Sequence, residues 1–297
     1  MEASAFNKTI GPIGLGCVTF GREIDREAAF RLMDFSFKQG IRFFDTAASY
    51  GEGRSEAIIG NWMARNPEYK GKTMVATKLK PPYEPTQMLR CLDESLEHLG
   101  METIDLLYLH CWDGRAENLQ TLKCLEGFIR TGKVRSLGAS NFNALQLGKV
   151  LQLQLENGWT PFSFAQNNHN LAVSDMSREW LQLCRQYRLR VIGYSPLGAG
   201  FLTGKYLHGV MNGTRFDIIK GHQAIYFNER SQRRLKRLQE LAAQTGLSPE
   251  LLAMAWAVHQ KEVDCVLVGG RTVAHIDNAL QALQFTDSDL LSGLECD

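Results

Sequence analysis

Residues 42–78 read RFFDTAASYGEGRSEAIIGNWMARNPEYKGKTMVATK, and this stretch decides the fold. The run 42–46 is apolar and ends on Asp45 and Thr46. Segment 55–65 carries apolar residues at helical spacing, and 73–78 is a second short run that ends on Lys78. Strand, helix, strand in that order is a βαβ unit, whose two strands run parallel. The alternation extends in both directions. Candidate strands fall at 13–19, 42–46, 73–78, 105–110, 134–140, 162–167, 190–195 and 264–269. Helical periods fall between them at 25–38, 55–65, 85–99, 119–131, 143–155, 175–188 and, after the last strand, 273–283. Eight strand–helix units without a composition break predict a (β/α)8 TIM barrel formed by one domain, 1–297. An extra strand or hairpin segment is expected at its N-terminus. An open doubly wound sheet is the competitor. It normally carries a G-x-G-x-x-G turn leading from its first strand into a helix, which GLGCVTFG (14–21) does not supply.

One connection breaks the rhythm. From 195 to 264 the chain has no strand signal: a glycine-rich stretch, PLGAGFLTGKYLHGVMNGTRF, precedes two helical segments at 229–244 and 248–259. Ser248 and Pro249 suit the N-cap and first turn of the second helix. The barrel is thus expected to carry a long loop plus helices after its seventh strand. That is the face where such barrels place their active sites.

Composition narrows the function classes. The chain has 297 residues, 33 Lys and Arg against 32 Asp and Glu, and a formal net charge of +1. That balance argues against nucleic acid or an anionic membrane as a partner. Seven cysteines are scattered without C-x-x-C spacing, so neither a disulfide framework nor a zinc site is expected. The first residues lack a basic stretch followed by an apolar run, and no apolar segment approaches the roughly 18 residues of a membrane span. A cytoplasmic location is the expectation.

In a barrel of this kind the strands are buried, so polar residues at their C-terminal ends are informative. Asp45, Lys78, His110, Ser140 with Asn141, Gln166, Tyr194 with Ser195, and Gly269-Gly270-Arg271 all fall there. They converge on one rim. Asp45 and Lys78, on neighbouring strands, can form a buried ion pair. Tyr50, five residues after Asp45, is the available phenol. An ammonium beside it is expected to lower its pKa and let it protonate a developing alkoxide. His110 can orient the same carbonyl oxygen. This is machinery for carbonyl reduction with a hydride from a cofactor. One histidine without a second carboxylate cluster sets a metal-dependent hydrolase aside, and no metal is expected.

The chain resembles the aldo-keto reductases over nearly its whole length. The resemblance rests on GLGCVTFG (14–21), FFDTAASYGEGRSE (43–56), ATK (76–78), IDLLYLH (104–110), GKVRSLGASNF (132–142), AQNNHNL (165–171), YSPLGAGFLTGKY (194–206) and GLSPELLAMAW (246–256), in the family's order. It implies a (β/α)8 barrel and a catalytic tetrad of Asp45, Tyr50, Lys78 and His110. It also implies an NADP(H) site. Ser140, Asn141 and Gln166 would hold the carboxamide, with Asp45 beside them, and Tyr194 would stack on the nicotinamide. Cys17 and Val18 would line the site from the first strand. Ser195, Pro196, Leu197, Gly198 and the loop through Lys205 would wrap the pyrophosphate, with Arg215 close by.

Gly269, Gly270, Arg271, His275 and Asn278 would hold the adenosine phosphate end. A guanidinium at 271 suits a 2′-phosphate, so NADP(H) is expected over NAD(H). His275 stands where the family often has Gln. Trp112 and Tyr83 are candidate walls of the substrate pocket, and Cys111 is a candidate oxidation-sensitive thiol. The implied substrate is a small carbonyl compound or the matching alcohol. The alternative implied by the same resemblance is a redox-sensing regulatory subunit that binds NADP(H) with little turnover, as in potassium-channel β-subunits.

Overall fold

A computed structural model describes residues 10–295. Eight strands run parallel: β1 (Ile13–Gly16), β2 (Phe43–Asp45), β3 (Met74–Leu79), β4 (Leu106–Leu109), β5 (Leu137–Ser140), β6 (Phe164–Asn168), β7 (Arg190–Tyr194) and β8 (Cys265–Val268). Each pairs with the next, and β8 returns to β1, with Ile13 opposite Val266, so the sheet closes into a barrel. The helices between them are α1 (Arg26–Lys38), α2 (Arg54–Arg65), α3 (Pro67–Lys70), α4 (Pro85–Leu99), α5 (Leu119–Arg130), α6 (Ala144–Glu156) and α7 (Arg178–Gln186). After β7 come α8 (Arg215–Ile218), α9 (Gly221–Tyr226), α10 (Glu229–Thr245) and α11 (Pro249–Val258). After β8 come α12 (Val273–Leu283) and α13 (Ser288–Ser292). The expected N-terminal strand or hairpin falls outside the described residues.

Caps explain where the helices begin. Asp25, Ser177 and Ser248 each accept a backbone N–H of the first turn of their helices, and Asn143 forms a reciprocal capping box with Gln146. The strands are shorter than the apolar runs because the ladder stops where each chain leaves for its loop. Side chains alternate. Phe44 faces the surrounding helices, while Phe43, Met74, Ala76, Leu106, Tyr108, Phe164, Ile192, Cys265 and Leu267 fill the lumen. Two strand glycines make that filling possible. A Cβ at Gly138 would meet the Tyr108 ring at 2.6 Å, and one at Gly14 would meet Phe43 at 2.8 Å. Tyr108 is thereby wholly enclosed.

The long connection after β7 is more ordered than its glycine content predicts. Phe216 stacks on Tyr206 at 4.2 Å between ring centres and lies 5.7 Å from Tyr226. The Tyr226 hydroxyl bonds the side chains of Asn168 and Asn170 at 3.2 Å each, which ties this segment to the end of β6. We call 195–227 the strap. No helix among the described residues is long and apolar enough to cross a membrane.

Candidate active site

Three strands supply the centre of the site. Lys78, fully buried at the end of β3, donates to Asp45 Oδ1 on β2 and to the Thr46 carbonyl at 2.8 Å. Gln166 Nε2, on β6, donates to the other Asp45 oxygen at 2.9 Å. The Lys78 ammonium also bonds the Tyr50 side chain and lies 5.1 Å from the centre of its ring. Tyr50 is placed by the turn that opens the 3-10 segment Tyr50–Gly53. His110 follows β4 and meets the Tyr50 ring edge-on at 5.6 Å, with Nδ1 3.3 Å from Ser49 Oγ.

These groups set one another's charge. Burial alone would push Lys78 toward neutrality, but Asp45 and Tyr50 outweigh it and hold its proton on. Burial lifts the Asp45 carboxyl above its usual range, opposed by Lys78 and Gln166. Burial, then Lys78, pushes His110 down to about 3, so its imidazole is neutral at neutral pH. Tyr50 departs from the sequence expectation. Lys78 does pull its pKa down, but burial pulls harder in the other direction and the net shift is upward.

The cluster opens on a cleft of about 780 Å3 that runs along the rim to the start of α12. Cys17, Val18, Asp45, Tyr50 and His110 line one end with Ser140, Asn141, Gln166 and Tyr194. Ser195, Pro196, Leu197, Lys205 and Arg215 line the middle, and Gly269, Gly270, Arg271, His275 and Asn278 the far end. Lys78 sits behind Asp45 rather than on the wall. Gly198 is not among the lining residues either. It has a left-handed φ of 58°, and a Cβ there would meet the Tyr226 ring at 2.9 Å, so its place is in strap packing.

Asn141 links the rim. Its Nδ2 donates to the His110 carbonyl at 2.8 Å, and its Oδ1 accepts from the Tyr194 hydroxyl at 2.6 Å. Thr19 Oγ1 donates to the Gly270 carbonyl at 2.9 Å and joins the first and last βα loops. Arg215 is already engaged. It reaches across the cleft to Glu23 at 2.7 Å, and Arg22 bonds the same carboxylate. His275 accepts the Arg271 amide on Nδ1 at 3.2 Å.

The sequence reading missed Glu23, His222, Ser248, Glu250 and Met254, which also line the cleft. The position of 19–24 just after β1 was the available signal for Glu23, and the Ser248 cap was the signal for the α11 group. Two aromatic candidates move elsewhere. Tyr83 is a core residue, fully buried, whose hydroxyl donates to the Cys111 carbonyl at 2.7 Å. Trp112 packs edge-on against Phe142 at 5.2 Å and does not line the cleft. Burial pushes the Cys111 thiol up, away from the reactive thiolate.

The residues present fit a dinucleotide. Amide and hydroxyl groups cluster at the Tyr50 end and the cations Lys205, Arg215 and Arg271 follow along the cleft. Gly200 keeps the backbone open where a Cβ would meet Lys205 Nζ at 2.5 Å. Among the described residues no cluster of His, Cys, Asp and Glu is placed to hold a metal.

Comparison with known proteins agrees with this geometry. The aldo/keto reductase family model matches residues 12–292. The chain belongs to the aldo/keto reductase family. It is similar to the uncharacterized oxidoreductase YrpG of Bacillus subtilis, at 29% identity over 98% of this chain and 94% of that protein. It is 28% identical to a norsolorinic acid reductase of Aspergillus flavus, over 95% of this chain and 76% of the relative. It is also 26% identical to a putative aryl-alcohol dehydrogenase of Schizosaccharomyces pombe, over 93% and 88%. As an aldo/keto reductase the protein is an oxidoreductase of the carbonyl–alcohol class, acting on small molecules.

Proposed function

We propose that this aldo/keto reductase reduces an aldehyde or ketone with NADPH, and that the reaction is reversible with the matching alcohol. The observation that carries the reading is the Asp45–Lys78–Tyr50 network, which opens beside a neutral His110 onto a cleft whose far end is cationic. The family's carbonyl chemistry and the names of the reductase and dehydrogenase relatives support it.

The dinucleotide, when bound, supplies the hydride. Ser140, Asn141, Gln166 and Tyr194 would hold its carboxamide and ring, the loop through Lys205 its pyrophosphate, and Arg271 a 2′-phosphate. The protein's own work is to place and protonate the carbonyl oxygen. His110, with Nδ1 occupied by Ser49, offers Nε2 to that oxygen as a hydrogen-bond donor. Tyr50 gives its phenolic proton to the forming alkoxide. The tyrosinate that results is stabilised by the Lys78 ammonium, and solvent restores the proton. In oxidation the same phenolate takes the alcohol proton. Since burial raises the Tyr50 pKa, the acid form persists through neutral pH, and reduction falls only when alkaline pH removes that proton.

The test follows NADPH consumption with para-nitrobenzaldehyde. Multiple turnovers are expected, with Tyr50→Phe losing about 10²–10⁴-fold in kcat while NADPH affinity holds. Equal loss of cofactor affinity would show Tyr50 to be structural. Stoichiometric binding of NADPH without turnover, across a panel of aldehydes, would show a regulatory subunit.

A further inference from the structure

The stretch GEGRSE (51–56) follows Tyr50 directly, and the chemistry above uses none of it. It leads from the phenol into α2. Its last residue, Glu56, is only 1% exposed. Oε1 of Glu56 accepts the Thr77 hydroxyl at 2.5 Å, and Oε2 lies 3.4 Å from His98 Nδ1 on α4. Thr77 is the residue before Lys78 on β3. The His98 ring in turn closes on Gly53, where a Cβ would meet it at 2.6 Å. Burying a carboxylate costs stability, and both oxygens of this one are spent on elements that flank Tyr50.

The loop 46–56 is held to β3 at two points. Near its start the Ala48 amide donates to the Lys78 carbonyl at 3.2 Å. At its end Glu56 holds Thr77. Tyr50 lies between the two. Ser55 fastens the same end to other strands: it accepts the Thr46 hydroxyl, just past β2, at 2.8 Å and donates to the Cys17 carbonyl, just past β1, at 2.9 Å. Glu56 is thus the side chain that sets the end of the loop against the strand of Lys78. Between the two points the backbone is left-handed at Gly51, Glu52 and Gly53 in succession, with φ of 57°, 59° and 86°. For Glu52, which has a Cβ, that conformation is held by its surroundings rather than by preference. Beside these residues lies a cavity of about 230 Å3, whose wall includes Ser49, Glu52, Gly53, Glu56, Lys80 and His98. Close packing does not back the loop there, so its anchors do.

We propose that Glu56 is a positioning residue: by holding Thr77 it fixes the loop so that the Tyr50 phenol rests on the Lys78 ammonium and Ser49 on His110. The proposal rests on the reductase reading of the site. Lys78, Asp45 and Cys17 are the groups whose charge acts on Tyr50, so Glu56 works through the placement of the loop and not through its own field. Without the anchor the phenol spends less time against the ammonium, and the proton donor is misplaced when the alkoxide forms. Gly60 packs α2 closely on the backbone of His98 and Leu99, so the helix stays docked when Glu56 changes and the effect is confined to its first turn and the loop.

The test compares Glu56→Ala, Glu56→Gln and Thr77→Val with the native full chain. In reduction of para-nitrobenzaldehyde, kcat is expected to fall about tenfold or more in Glu56→Ala and severalfold in Thr77→Val, while NADPH affinity in fluorescence titrations holds within about twofold. Glu56→Gln keeps an acceptor for Thr77 and is expected to recover most of the loss. A second readout needs no cofactor. In ligand-free protein carrying 13C at tyrosine Cζ, with Tyr50→Phe to assign the signal, the Tyr50 resonance is expected to begin its alkaline displacement at higher pH in Glu56→Ala and Thr77→Val than in the native chain, because Lys78 is what opposes burial at that phenol. If Glu56→Ala does not fold, Thr77→Val, which is nearly isosteric, decides alone. Native kcat in the folded variants, or a Tyr50 titration that does not move, would overturn the role of Glu56 and leave the reductase reading standing. Equal losses in Glu56→Ala and Glu56→Gln would do the same, since they would assign the effect to the charge. A native protein that turns over no carbonyl would overturn the reductase reading and this proposal together.

Discussion

Lys78→Met tests whether the centre of the site is held by charge. Lys78 is fully buried and its ammonium bonds Asp45, the Thr46 carbonyl and Tyr50. Methionine keeps most of the stem and removes the charge. Asp45, only 2% exposed, would then keep one side-chain donor, Gln166 at 2.9 Å, in a dry barrel. Breaking one side of a buried ion pair costs about 3–5 kcal/mol, and that is the expected loss of stability at pH 8. The loss depends on pH. Without Lys78, burial is opposed only by Gln166, so the Asp45 pKa in the folded variant lies above its unfolded value. A group so shifted stabilises below the unfolded pKa and loses that contribution as pH rises through the folded one. The deficit is therefore largest at pH 8 and smaller at pH 5. Urea denaturation followed by tryptophan fluorescence at both values reads it. The double variant Lys78→Met/Asp45→Asn is expected to recover part of the loss. An equal deficit at both pH values, with strictly additive single variants, would refute the charge argument and leave packing as the cause.

Other consequences are as direct. Arg271→Ala is expected to weaken NADP+ by about tenfold or more while NAD+ changes less than about twofold, because a guanidinium pairs with a phosphate and not with a hydroxyl; equal losses in fluorescence titrations would remove Arg271 from cofactor choice. Glu23→Gln breaks the contact that fastens Arg215 across the cleft. The pair is partly screened, so stopped-flow release of NADPH is expected to quicken only about two- to fivefold; unchanged release would mean that the strap is held by its aromatic packing and the Tyr226 hydrogen bonds.

The barrel was legible because the chain repeats one pattern, and because parallel strands buried on both faces read as short apolar runs. Asp45, Lys78 and His110 stood out for the same reason: each is a polar residue at the end of such a run. What escaped was long-range. Glu23 and Arg215 are separated by 192 residues, and Gln166 and Asp45 by 121, so no local spacing announces either contact. Tyr83, in the loop after Lys78, reads as a wall of the substrate pocket, yet it is fully buried and its hydroxyl bonds the Cys111 carbonyl. The upward shift of Tyr50 was illegible too. A neighbouring lysine can be read from sequence, whereas the depth of the pocket that opposes it cannot.

The hydrogen bonds that run from His110 through Asn141 to Tyr194, and the separate Thr19–Gly270 bond, brace two arcs of the barrel's mouth with the protein's own groups. The strap has no comparable net on its Glu23 side, where a single carboxylate fastens it. The rim is thus a frame set by the protein's own bonds, and the Glu23 side of the strap is its more lightly fastened part. Hydrogen exchange should find the frame amides equally slow with and without nucleotide, and all the change in the strap. On the proposed function, the speed of cofactor exchange and the accuracy of proton delivery would reside in different segments, so either could drift or be redesigned without disturbing the other.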